Sequence, residues 1–204
     1  MTRVAPTSKL RPAFTAALLA ASVSLAAPVH AGTALEYTRD TLERARAIVN
    51  SDQDHNQKLA ALEAVLQDFL DTDKMGRDAL DQHWPTLTPA QQKEFLSLFR
   101  TLFQRTYLQK LLFFEKPDFV YVGEAAGDGF TRVDTKIVTP KDEFAVTYRM
   151  RAAGIRWLAT DIQVEDLSLT NNFRQQLDRQ LSKGSIATLL DSMRKKYGGK
   201  DDAP

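Results

Sequence analysis

Apolar residues recur three and four positions apart through the first half of the chain, two apart across residues 119–164, and three and four apart again toward the C-terminus. Thr33-Ala34-Leu35-Glu36 has the form of a capping box and predicts a first helix with Leu35, Leu42, Ala45, Ile48 and Val49 on one face. Asp52 or Asp54 stands where it can cap a second helix, which turns Leu59, Leu62, Val65, Leu66 and Phe69 inward. A short third helix is expected over residues 72–83, with Met75, Leu80 and Trp84 along it and Pro85 as its end. Thr88-Pro89-Ala90-Gln91 then supplies an N-cap, a proline at the first helical position and a glutamine to return the cap's hydrogen bond. The helix it opens, over residues 88–114, carries Phe95, Leu98, Phe99, Leu102, Phe103, Thr106, Tyr107 and Leu111 in one wide aromatic stripe.

The period then drops to two. Residues 119–122 predict a short strand, and Gly127-Asp128-Gly129 a turn. Thr131, Val133, Thr135, Ile137 and Thr139 alternate with Arg132, Asp134, Lys136 and Val138. After a turn at Pro140-Lys141-Asp142, Phe144, Val146, Tyr148 and Met150 alternate with Ala145, Thr147, Arg149 and Arg151. A turn near Gly154 leads into a fourth strand over residues 157–164. Two helices close the chain. One runs from near Ser168 to Lys183 with Phe173, Leu177 and Leu181 inward and Gly184 as its stop. The other starts at Ser185 and aligns Ile186, Leu189, Leu190 and Met193. Helices, then strands, then helices make an α+β fold, with helices packed on one face of a curved four-stranded antiparallel sheet.

The N-terminal segment lies outside this pattern. Arg3, Lys9 and Arg11 precede an apolar, small-residue run over 13–27, and Val29-His30-Ala31 is an acceptable cleavage site. The run falls short of the roughly 20 residues of a membrane span. Residues 1–31 are therefore expected to be a cleaved signal peptide, residues 32–199 a single exported soluble domain, and residues 200–204 a flexible tail. Removing the signal takes three of 27 basic residues and none of 26 acidic ones, leaving 24 against 26 and a net charge of −2. That balance argues against nucleic acid as a ligand. The chain has no cysteine, so in an oxidising compartment its stability rests on the core and not on disulfides.

Catalytic side chains are scarce. His55 sits at a polar helix start and His83 beside Trp84-Pro85, where contact with terminal carbonyls is expected; neither has metal-binding or catalytic spacing. Hydrolase, metalloprotease, phosphate-loop and EF-hand motifs are missing from the sequence. Asp161 is the one carboxylate in an otherwise apolar strand. Alone, it lacks the partner that acid–base chemistry needs, and capping of nearby backbone is its ordinary use. Ser168 reads as an N-cap, with no histidine placed to activate it. Arg149 and Arg151 face away from Tyr148 toward solvent. No catalytic residue, metal or cofactor is assigned.

What the sequence does supply is apolar surface. Phe95, Phe99, Phe103, Tyr107, Leu111, Phe144, Val146, Tyr148, Met150 and Trp157 can line a cavity between helices and sheet, or fill it as an ordinary core. At roughly 0.8 kcal/mol per buried methylene, a two-chain lipid of about 30 methylenes gains on the order of 20 kcal/mol gross. Most of this cancels against a membrane, where the chains are already buried, which suits a carrier.

Three stretches resemble one known family. The first is Trp84 with Leu87-Thr88-Pro89-Ala90-Gln91, then Glu94-Phe95, Phe99 and Thr106-Tyr107. The second is Val146-Thr147-Tyr148. The third runs from Trp157 to Asp161, then Glu165, Leu167-Ser168-Leu169, Asn172-Phe173-Arg174, Gly184 and Leu189-Leu190. Together, over residues 58–197, they resemble the MlaC-type periplasmic phospholipid-binding proteins, also called toluene-tolerance or auxiliary components of an ABC transporter. Two positions depart from the family pattern. Thr160 stands where an aromatic is common, and Asp166 stands where glycine is common after Glu165. The departures bear on local turn geometry and on the shape of the mouth, and leave room for a different lipid such as a hopanoid.

The resemblance implies a monomeric periplasmic lipid carrier that holds acyl chains in a pocket and shuttles phospholipid between the outer and inner membranes, maintaining outer-membrane lipid asymmetry. Its implied partners are an outer-membrane lipoprotein–porin complex and an inner-membrane MCE-domain ABC transporter. The residues expected on the lipid-binding wall are Phe99, Phe103, Tyr107, Leu111, Val146, Tyr148 and Trp157. Two other readings stand beside it: an enzyme centred on Asp161, and a periplasmic interaction module with a filled core.

Overall fold

The computed structural model describes Met1 and residues 32–112 and 116–198. The expected signal segment beyond Met1, the end of the aromatic helix past residue 112, and the expected tail lie outside the described residues. Three helices lead: α1 (Ala34–Val49), α2 (His55–Gln67) and α3 (Thr72–Leu80). A 3-10 turn over Asp81–Thr86 joins them to α4 (Pro89–Phe103), which passes through a π turn at Gln104–Leu108 into the short α5 (Gln109–Leu111). The strands β1 (Asp118–Ala126), β2 (Thr131–Val138), β3 (Glu143–Ala153), β4 (Arg156–Val164) and β5 (Leu167–Ser168) pair antiparallel in chain order. Helices α6 (Leu169–Leu181) and α7 (Ile186–Tyr197) complete the α+β fold.

Local chemistry accounts for the helix starts. Thr33 with Glu36, Asp54 with Gln57 and Thr88 with Gln91 each form a reciprocal capping box, so Asp54 rather than Asp52 caps α2. Asp71, Ser168 and Ser185 cap α3, α6 and α7. In α1 the buried polar positions Thr38 and Thr41 satisfy their hydroxyls on the carbonyls of Ala34 and Tyr37, at 2.8 and 2.9 Å.

Four details differ from the sequence pattern. The third helix closes at Leu80, where Asp81 takes φ 45°, and Pro85 lies within the following 3-10 turn instead of terminating the helix. Helix α6 ends at Ser182 in ordinary helical geometry, so Gly184 is not its left-handed stop. β1 is nine residues long and carries an irregularity between Tyr121 and Gly123. The sheet has a fifth strand, β5, because the two-residue turn Glu165-Asp166, with φ 49° and 63°, returns the chain for a single pair of rungs before α6.

Helices α3, α4 and α6 pack on one another, α7 docks on α4, and α1 lies along β1 beside α2. Where α3, α4 and α6 meet, Phe95, Phe99, Met75 and Leu80 are fully buried and Phe99 meets Phe173 edge-on at 5.0 Å. Along β3, Val146, Tyr148 and Met150 are buried, as the alternation requires.

Candidate functional site

Between the sheet and the helices lies a cavity of about 910 Å³, near the upper end of the range of small-molecule pockets. The helical side of its wall comes from Leu42, Ala45 and Val49 on α1, Leu62 and Leu66 on α2, and Phe103, Tyr107, Leu108 and Leu111 around the π turn. The sheet side comes from Phe119, Ile137, Phe144, Val146, Tyr148, Ile162 and Val164. Phe69 and Leu70, between α2 and α3, also face it, and Phe69 meets Tyr148 edge-on at 5.5 Å.

Of the seven residues expected on the wall, Phe103, Tyr107, Leu111, Val146 and Tyr148 line this cavity. Phe99 and Trp157 do not. Phe99 is one turn too early on α4 and is enclosed by Phe95, Phe173 and α3. Trp157 is the second residue of β4, at the far end of the sheet, where its indole nitrogen donates to the carbonyl of Gly32 at 3.3 Å. Phe95 and Met150 are wholly buried in the core, whereas Phe144 is on the wall. Spacing alone does not reveal the contributions of α1 and α2, because a stripe facing a cavity and a stripe facing a core have the same period.

The two phenols and the arginine on the wall are engaged by neighbouring groups. The Tyr148 phenol is hydrogen-bonded to the Thr135 side chain, and burial pushes its pKa well above the ordinary value. Burial also raises that of Tyr107, partly offset by a hydrogen bond to Asn172. Arg46 reaches the wall while engaged by Glu43 and Asp118 at 2.8 and 2.6 Å. Asn171, Asn172, Gln175, Glu165 and Asp166 border the cavity where β4 turns into β5 and α6. Apolar depth with a polar border can hold a molecule that is mostly hydrocarbon with one hydrophilic end.

Residues considered for chemistry have structural roles. Asp161 is buried, and its Oδ1 accepts the Thr170 backbone N–H at 3.1 Å, fastening α6 to β4. Ser168 accepts from Asn171 N as an N-cap. His83 faces Asp178 on α6 at 3.4 Å rather than terminal carbonyls, and His55 is exposed. Arg149 covers the Phe130 ring, and Arg151 is paired with Asp71, so neither is simply solvated. Among the described residues, no group of three or more His, Asp or Glu could hold a metal ion, and no helix is long and apolar enough to cross a membrane.

Fold and cavity together define an α+β protein built around an apolar pocket. The sequence matches the MlaC protein family over residues 36–195, and the chain belongs to that family. Among solved structures it is similar to a phospholipid-binding protein from Ralstonia solanacearum, determined in complex with a phospholipid. The TM-score is 0.74 at 21% identity, over 81% of this chain and 97% of the other. A comparison with curated proteins finds no match.

Proposed function

We propose that this protein binds a phospholipid by its acyl chains in the cavity and carries it through the periplasm between the outer and inner membranes. The observation that carries the reading is the apolar cavity of about 910 Å³, whose two phenols and Arg46 are engaged by neighbouring side chains and whose exposed polar residues gather at its border. Family membership and the phospholipid-bound relative of the same fold support it. Phe103, Tyr107, Leu111, Val146 and Tyr148 contact acyl chains in this reading, joined by Ala45, Leu66 and Phe144.

The signal-like N-terminus supports periplasmic export. The partners are an outer-membrane lipoprotein–porin complex, which surrenders or receives lipid, and an inner-membrane MCE-domain ABC transporter at the other end of the route. No turnover is involved: cargo moves by exchange at near-zero net free energy, since its chains are buried at both ends of each transfer.

Native mass spectrometry of protein from its own periplasm, followed by solvent extraction, tests the reading. One diacyl phospholipid per chain is the expected result. A hopanoid would keep the carrier and change its cargo. An empty protein that accepts no lipid from vesicles would leave the interaction module.

A further inference from the structure

Charged side chains of opposite sign lie near one end of the cavity, and their placement follows from the sheet register. Asp118 at the start of β1 pairs with Val138 at the end of β2, and Val138 with Glu143 at the start of β3. Glu165, just past β4, donates its N–H to the Ala145 carbonyl at 3.0 Å. The β2–β3 turn, the β4–β5 turn and the chain entering β1 therefore share one end of the sheet. Arg46, near the C-terminal end of α1, reaches the same end through Asp118.

On one side of this end, a groove adjoins the cavity through Val49, which lines both. Lys58, Lys116, Asn50 and Ser51 also line it. Lys58 spends one donor on the Val49 carbonyl at 2.9 Å. Lys116 is held at φ 48°, a left-handed conformation that non-glycine residues rarely keep without a reason. Among the described residues neither lysine is in an ion pair, whereas Arg46 is already neutralised by Glu43 and Asp118. On the other side, Glu165 and Asp166 present two exposed carboxylates in left-handed geometry directly on the cavity border. Glu165 is partly committed, accepting the Ala145 N–H. Among the described residues the Asp166 carboxylate is in no ion pair, so it can face a ligand.

We infer that the mouth selects a zwitterionic headgroup, with the lipid phosphate on the Lys58–Lys116 side and a primary ammonium on the Glu165–Asp166 side. An aminoalkyl glycerophospholipid meets both poles. A phosphatidylglycerol-type lipid meets the cationic side alone and leaves its polyol against two carboxylates. The inference rests on the phospholipid reading of the cavity.

The test is competitive loading of the delipidated protein from vesicles of phosphatidylethanolamine and phosphatidylglycerol, equimolar and matched in acyl chains, with bound lipids extracted and counted by mass spectrometry. The expected result is a bound ratio enriched about two- to fivefold in phosphatidylethanolamine, the range that exposed ion pairs supply. Asp166→Asn, which keeps the left-handed turn accessible, should move the ratio toward that of the vesicles by lowering phosphatidylethanolamine uptake while phosphatidylglycerol uptake holds or rises. Lys116→Gln should lower uptake of both lipids without favouring phosphatidylglycerol. Normal uptake at the vesicle ratio, or an enrichment that Asp166→Asn leaves intact, overturns the headgroup assignment and spares the carrier. Failure to take up either lipid overturns the carrier itself, and the headgroup assignment with it.

Discussion

Arg151 on β3 sets Nε and Nη2 at 3.0 and 2.6 Å from one carboxylate oxygen of Asp71, 80 positions earlier in the chain. The other Asp71 oxygen caps α3 by accepting the Lys74 N–H at 3.0 Å. The Asp71 backbone N–H donates to Ala159 at 2.9 Å. One residue thus starts a helix and welds it to the sheet. Asp71→Ala is expected to cost about 2–3 kcal/mol in denaturant unfolding, the loss of a cap together with charge-assisted hydrogen bonds. Arg151→Ala should cost less, because the arginine is far more exposed than its partner.

Gly76 on α3 is a contact position. A Cβ built there would lie 3.0 Å from Phe99 Cδ1 and 3.1 Å from Leu96 Cδ2, and Phe99 is fully buried. Alanine improves helix propensity by roughly 1 kcal/mol. Crowding in a filled core costs about 1–3 kcal/mol, so Gly76→Ala should leave the protein about 1 kcal/mol less stable. A rise in the unfolding midpoint would show that α3 and α4 can move apart there.

Ala45 is the smallest side chain on the wall. Ala45→Trp projects an indole into empty volume, so the far-ultraviolet circular dichroism should be unchanged while lipid uptake from vesicles falls by an order of magnitude or more. Uptake at the original level would mean that acyl chains bind elsewhere.

Asp161→Asn keeps an acceptor for the Thr170 N–H and removes the charge. It should leave lipid uptake unchanged and cost about 1 kcal/mol of stability. Loss of uptake in a stable, folded variant would give this carboxylate a part in the site.

Burial raises the folded-state pKa of Tyr148, Tyr121 and Tyr107 above the ordinary 10.0, and Tyr121 is raised further by its hydrogen bond to Glu43. A raised phenol stabilises the fold fully below the unfolded value and ceases to do so as pH climbs through the folded one. The part of the stability owed to these phenols should therefore be level well below pH 10.0 and be lost as pH rises through and beyond it. Tyr148→Phe should flatten that fall, as alkaline unfolding curves followed by circular dichroism will show.

Helix starts and strand faces were legible because the signals are local. Thr33, Asp54 and Thr88 each meet a partner three residues on, and β3 alternates without interruption from Phe144 to Met150. The candidate wall was legible only in part, for reasons that arise beyond the local window. On α4, Phe99 and Phe103 share one stripe by spacing, but Phe99 is enclosed by α3 and α6 whereas Phe103 reaches the cavity, and the π turn then re-aims Tyr107, Leu108 and Leu111. On β4, Arg149 pairs with Asp161 and Met150 with Ala159, so Thr160 is bulged and the alternation that starts at Trp157 does not carry through to Ile162. The burial of Thr38 and Thr41 was hidden because their hydroxyls are satisfied within their own helix.

The cavity wall runs from Leu42 to Gln175 and draws on nearly every element between them. No fragment of the chain encloses it, so it exists only once the first helices and the last strands have met. Whatever fills it then completes the interior as surely as a side chain would. A filled molecule is harder to unfold than an empty one by an amount that grows with the supply of cargo. If the cavity takes lipid as proposed, the melting temperature of this protein would thus be a gauge of how much lipid is on offer, and proteases that act on opened chains would remove empty molecules first.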